Sequence, residues 1–498
     1  MPSESGSQPG VAPVLVGVGD ITQRNEDPRS ALNATDLMEV AVHRALADAG
    51  VAGSQLESIR LLVAVPDGSW VAVDPGRVLA ERLGATTAVT LIAEIGVLQQ
   101  DVIADGCAAI ARGEFDAVIV VGGEARRRSQ RALSAAIDDA EPSPIRTEGP
   151  DRRVQPAPGW IHDIELTRNL VTPAVAYAVI DSARRSAAHM SSEQRTIELG
   201  ERYRDLSRIA AGLDSAWDRH PYRAEEITEA SDDNRIIATP YMKRMCSQWN
   251  VDQAAALLLC SNELVDEWSI PKHRCVHSLG SVVSNHAVPV AQRRQLGSSP
   301  GAEIIARRLL DIAGIGPGEL GPIDLYSCFP VAIDVLADAF GVGERRDRSV
   351  VGGMAAGGGP LNNFVLQALA ELVRLLRQAP GTIGLSTSVS GFLTKVGAGL
   401  WSTTPSAEFV HLDVSAEVAH VDIPVAVDGS WAGPATIAGW TVEALRGVPH
   451  RAVIVADTPA GDRTLGSTGD ASTCARLGTG AWLGSIVTIR EDGSFVLD

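Results

Sequence analysis

The chain has 498 residues, 45% hydrophobic and 21% charged, which is the composition of a soluble globular protein and the length of two to four domains. Its net charge of −18 argues against nucleic acid or an anionic membrane as the main partner, while a small basic patch could still meet a polyanionic ligand. No run of about 18 apolar residues occurs, so no membrane span is expected.

Residues 1–10 are polar, rich in Gly, Pro and Ser, and lack an apolar signal core; they read as a disordered tail. The last residues carry no address signal, and cytoplasm is the expected compartment. Strands are then expected at 13–18, 59–65, 88–92 and 115–121. Helices are expected at Ala34–Ala49, stopped by Gly50, at 75–83 and at 97–112. The helix at 75–83 has Asp74 as its N-cap, Pro75 in its first turn and Gly84 at its C-terminal cap. This βαβαβαβ order predicts an α/β sheet with helical crossovers. Residues 126–234 break the pattern with charge, proline and polar helices at 172–189 and 192–213, and read as an inserted, mostly helical loop domain.

The sheet pattern returns with strands at 254–260, 276–279, 323–326 and 381–389 and helices at 301–314, 332–340 and Phe364–Gln378. In each half a loop feeds a long helix, followed by a glycine and a strand. These are Gly96, Gly113 and 116–121 in one half, and Gly359, Gly381 and 383–389 in the other. From about residue 405, alternating stretches at 409–412, 416–421, 435–442, 451–458 and 482–490 predict a small all-β domain. The six cysteines form no CxxC pair, so neither disulfides nor a metal site is expected.

Residues 350–364 read VVGGMAAGGGPLNNF: two glycines, an apolar spacer, Gly-Gly-Pro, then a helix. With VLVGVGDITQR at 14–24, AAIARGEFDAVIVVGGEA at 108–125, DDNRIIATPYMKRM at 232–245, NVDQAAALLLCS at 250–261, DLYSCFP at 324–330 and SGFLTKVGAGLWS at 390–402, this motif makes residues 11–400 resemble the thiolase superfamily. The whole chain resembles thiolase-like proteins (acetyl-CoA acetyltransferase-like) that carry an extra C-terminal β domain. The resemblance implies an α/β duplicated thiolase fold, two βαβαβαββ halves in five αβαβα layers. These halves would be 11–125 and 235–404, with the loop domain at 126–234 and the additional all-β domain at 405–498. It also implies CoA or acyl-CoA as ligand, no tightly bound cofactor, and a homodimer, with a monomer as the alternative.

Thiolase chemistry needs a cysteine at a helix N-terminus, where the dipole favours thiolate, and a histidine to activate it. It also needs a second cysteine as acid/base, and an asparagine that holds the thioester oxygen or a water together with the histidine. Counted back from Gly113, the first cysteine falls near Gly96 in EIGVLQQ; Cys107 lies about three turns along the same helix. The histidine position is Gly359, the second cysteine position is near Ser390, and the asparagine motif reads Tyr326-Ser327-Cys328-Phe329. Ordinary thiolase turnover is therefore not expected, and acyltransferase activity rests on the resemblance alone.

Other groups carry two readings each. Tyr326 is either an acid, as in thiolase-like aldolases, or a packed phenol. Cys328 is either a nucleophile beside His286, in SNHAVP, or a structural thiol with His286 in a loop or pocket wall. Glu94 and Asp101 flank the Gly96 loop; Glu94 is either a base or a solvated or capping carboxylate. For CoA, the resemblance points to Arg204, Arg208, Tyr241, Lys243, Arg244 and Ser247; Lys395 is a further cation or a surface charge. The helix N-termini after Gly96 and Pro360 could supply N–H donors. Three functions follow as alternatives: CoA or acyl-CoA binding, acyl-CoA lyase or acyltransferase chemistry through Tyr326 or Cys328, and an interaction scaffold built on the β domain.

Overall fold

The computed structural model describes residues 11–69, 73–137, 149–406 and 409–497; the expected tail at 1–10 lies outside them. The first half draws in Asp252–Ser261, which comes from the stretch 235–404 expected to form the other half: Val89–Ala93, Leu61–Pro66, Ala117–Ala125, Asp252–Ser261 and Pro13–Thr22 lie side by side in that order. The first three are parallel and the last two pairings antiparallel. The second half repeats this with Leu320–Asp324, Ile383–Ser390, Lys395–Ser402 and Val276–Ser284, parallel at the first pairing and antiparallel after it. The halves join where Val14 and Leu15 pair with His277 and Val276.

Alternation along the strands sets the layers. Val118 and Val120 face a core shared with Ile103 and Ile110 of the helix Gln99–Ala111, while Ile119 and Val121 face Leu37 and Met38 of the outer helix Ala34–Ala49. In the second half Ser281 points to Gln100 of the first central helix, while a side chain at Gly280 would meet Ile312 of the outer helix Pro300–Ala313. The second central helix, Phe364–Gln378, has the span that its pattern predicted.

The loop region holds two long helices, Pro173–Ala187 and Ser192–Ala211. It also contributes a strand the sequence did not reveal, Arg152–Val154, which covers the outer edge of Val89–Ala93. A buried ionic cluster fixes the loop helices to the second half. Asp334, on the helix Pro330–Ala339, takes Arg195 Nη2 at 2.7 Å and Arg202 Nη2 at 2.7 Å; Arg195 also pairs with Asp181. Burial alone would raise the Asp334 pKa, but the two guanidinium groups overcome this and hold it well below the usual carboxylate range.

The C-terminal region carries a second antiparallel sheet. Arg463–Thr468, Val448–Asp457, Gly433–Leu445, Ile486–Ile489 and Phe495–Leu497 lie in that order around a core of Trp440, Ile454, Leu477 and Phe495. Three expectations change. The strand expected at 409–412 is His411–Asp413, and it joins the large sheet beside Val276–Ser284. The stretch 416–421 is a helix, Ser415–Val421: Val414 and Val418, four apart, are both buried, and Val418 faces Gly301 of the outer helix. The helix Ala471–Thr479 and the strands Arg463–Thr468 and Lys395–Ser402 were not foreseen. The sheet rests on the loop domain, with Trp440 N–H donating to Ser182 Oγ at 2.8 Å and Gly439 close to Val179.

Asp334→Ala would remove the buried carboxylate shared by Arg195 and Arg202, leaving them Glu198 at the half-exposed edge of the cluster, at a cost of about 3 kcal/mol. Chemical denaturation is expected to show that loss; an unchanged midpoint would contradict the clamp.

Candidate functional site

The N-termini of the two central helices meet at the centre of the molecule. Gln99 Oε1 accepts the Val365 N–H at 2.8 Å, and Gln100 Nε2 donates to Ser281 Oγ at 3.0 Å. Neither helix is capped by the side chain of its N-cap residue, Leu98 or Asn363. Both helices therefore turn their positive ends toward a cavity of about 930 Å³ that Gly96, Gln99, Gly359 and Asn362 help to line.

The two key glycines are packed against neighbours. Gly96 has φ +104°, and a Cβ there would stand 3.1 Å from Pro156 Cβ. Its carbonyl accepts Lys395 Nζ at 2.5 Å and Ser390 Oγ at 3.0 Å. At Gly359 a Cβ would stand 2.1 Å from Ser247 Oγ. The cause is local. Ser247 N–H donates to Cys328 O at 3.0 Å, Gln248 N–H to Met354 O at 3.0 Å, and Gly359 N–H to Gln248 O at 2.9 Å. The segment around Ser247 is thus strung between two loops, and its hydroxyl fills the place of a side chain at 359.

Tyr326, Cys328 and Phe329 line the same cavity. The Tyr326 ring meets Phe364 edge-on at 5.9 Å, and its N–H donates to Thr387 Oγ1 at 2.8 Å. Burial, with Cys328 nearby, pushes its phenol far above the usual range, so it can donate a hydrogen bond but not act as phenolate. Burial pushes the Cys328 thiol up to about 12, against a hydrogen bond with Tyr177 that favours thiolate. Tyr177 stacks on Phe329 at 4.7 Å, and Trp160 and Phe392 extend this aromatic wall. Lys243, Arg235, Asp218 and Asp233 also line the cavity, Arg235 and Asp233 being exposed, with Arg244 lying 4.3 Å over the Tyr222 ring.

The cavity brings together Gly96, Gly359, Ser390, Tyr326, Cys328, Lys243, Arg244 and Ser247. Other expected residues lie elsewhere. Tyr241 is fully buried and donates to Tyr177 O at 3.3 Å, behind the aromatic wall. Arg204 and Arg208 stand on the loop helix Ser192–Ala211 and pair with Asp205. His286 is not beside Cys328; its Nε2 lies 3.2 Å from Asp422 O, held there by the loop after Val276–Ser284. Glu94 pairs with Arg153 at 3.4 Å. Asp101 accepts Asn285 Nδ2 at 2.8 Å, and burial pushes it up to about 7. Cys107 is buried along its helix. Lys395 is no surface charge: it is wholly enclosed and borders the cavity. Tyr177, Trp160, Arg235 and Asn362 were missed, because helical periodicity says which face is buried but not that it borders a void. Among the described residues, no group of three or more His, Cys, Asp or Glu could hold a metal.

Residues 413–494 match the family described as the thiolase-like protein type 1 additional C-terminal domain. A monomeric SCP2-thiolase-like protein type 1 from Mycobacterium smegmatis is 26% identical, with a TM-score of 0.82 over 98% of this chain and 99% of its own. The fold is that of a thiolase-like protein with an additional C-terminal domain. Human mitochondrial 3-ketoacyl-CoA thiolase in complex with CoA, 15% identical, matches the fold over 79% of this chain and 98% of its own, with a TM-score of 0.53. The Ltp2–ChsH2(DUF35) aldolase, 20% identical, does so over 80% of this chain and 100% of its own, with a TM-score of 0.59. No curated protein sequence gives a significant match. The M. smegmatis protein is described as monomeric. No helix among the described residues is long and apolar enough to cross a membrane.

The crowding at Gly359 is testable. Gly359→Ala is expected to destabilise the protein by about 1–3 kcal/mol through overpacking. Ser247→Ala in the same chain should recover most of that loss, a coupling that a double-mutant cycle measures. Additive effects would contradict the contact.

Proposed function

We propose that this chain binds CoA or an acyl-CoA in the central cavity and does not carry out ordinary thiolase turnover. What carries this reading is the lining of the cavity, which joins Lys243 and Arg235 with Gly96 and Gly359 beside the two helix N-termini. Its volume, about 930 Å³, lies in the range of small-molecule sites, and its aromatic wall suits an apolar pantetheine arm. The cations suit phosphates, and the helix ends suit a thioester oxygen. One neighbour in fold is a thiolase described in complex with CoA.

Turnover by the thiolase route lacks support on chemical grounds. Gly96 and Gly359 offer neither nucleophile nor proton carrier, and Ser390 is a poor proton donor. Cleavage through Tyr326, or attack by Cys328, is less favoured than binding, since burial keeps both protons in place.

Titration calorimetry with CoA and short acyl-CoAs is expected to register binding. Lys243→Ala should weaken it about ten-fold, the scale of one charge-assisted hydrogen bond. No heat with any of these ligands would end the proposal.

A further inference from the structure

Of the 43 cationic side chains, only three are lysines: Lys243, Lys272 and Lys395. Two of the three border the central cavity. An amine, unlike a guanidinium, can give up its proton and expose a lone pair. Lys395 stands where that property matters. Its Nζ lies 4.0 Å from the point a Cβ at residue 96 would occupy, which is about where a nucleophile on that loop would be carried.

The seat is built. Nζ and Ser390 Oγ converge on Gly96 O. The turn before Lys395 runs through three left-handed residues, Gly391, Phe392 and Leu393, at φ +63°, +57° and +67°. Such a conformation is costly for Phe and Leu and persists only where the surroundings enforce it. Here Arg293, buried, donates to Phe392 O at 2.7 Å and to Val288 O at 3.1 Å, and Val288 N–H donates to Thr394 Oγ1 at 2.6 Å. Burial lowers the proton affinity of Lys395, while Asp101 works against that.

We propose that Lys395 is a nucleophile supplied by the second half where the first half has none, and that it forms an imine with the ketone or aldehyde carbon of a cavity ligand. The Nζ lone pair makes the C–N bond, the carbonyl C–O bond breaks, and both amine hydrogens leave with that oxygen as water. No oxidant, reductant or metal is needed. This goes beyond CoA binding and requires only a carbonyl compound in the cavity.

The full-length protein would be incubated with cyanoborohydride together with butanal in one experiment and together with acetoacetyl-CoA in another, and every modified amine mapped by mass spectrometry. The expected result is a reduced adduct at Lys395 at least ten-fold above Lys243 and Lys272, and its loss in Lys395→Arg. Mapping on the unaltered chain does not depend on whether that variant folds. Equal labelling of the three lysines, or none at Lys395 with both probes, would overturn the proposal. Labelling by butanal without calorimetric binding of any CoA species would keep this proposal and remove the CoA reading. CoA binding without a Lys395 adduct from either probe would do the reverse.

Discussion

The shape of the cavity depends on the buried charges around Asp334. That carboxylate sits one turn into the helix whose start carries Cys328 and Phe329, and it takes guanidinium groups from the loop helix Ser192–Ala211. Arg195 in turn reaches Asp181, one turn after Tyr177 on the other loop helix. The cluster therefore registers three helices at once, and in that register Tyr177 stacks on Phe329. Apolar packing alone would hold the helices together with less control of their rotation and slide. Buried charges left unpaired are strongly penalised, so displaced arrangements are disfavoured. The additional sheet braces the same loop helix from outside, through Trp440 and Ser182.

Within that frame, the centre of the molecule resembles a reactive site whose seats have been reassigned. The seat beside Gly359 is taken by the Ser247 hydroxyl, and the seat beside Gly96 by the Lys395 amine and Pro156. The helix N-termini and the void between them remain. Oriented N–H groups and a positive helix end can hold a carbonyl there. The surrounding thiols and phenols are kept protonated by burial, which points to recognition more than to proton transfer.

The sequence made much of this legible. The duplication was visible because both central helices are long and bounded by glycine, and Phe364–Gln378 has the expected span, as does the outer helix Ala34–Ala49. Gly96, Gly359 and Ser390 were placed by motif spacing, and they do meet at one cavity. Less could be read where tertiary contacts decide. The stretch 416–421 alternates like a strand, yet Val418 is drawn onto a helix. Lys395 gave no sign of burial, because enclosure comes from the turn at 391–393 and the Gly96 loop, far apart in sequence. His286 and Cys328 were brought near each other only by conjecture, and the fold holds His286 at Asp422 instead.

A structure determined with a non-hydrolysable acetyl-CoA analogue tests the central claim most directly. The account predicts the pantetheine arm along Tyr177 and Phe329, with the carbonyl end between Gly96 and Gly359. An analogue bound elsewhere, or a cavity left empty at saturating ligand, would contradict it.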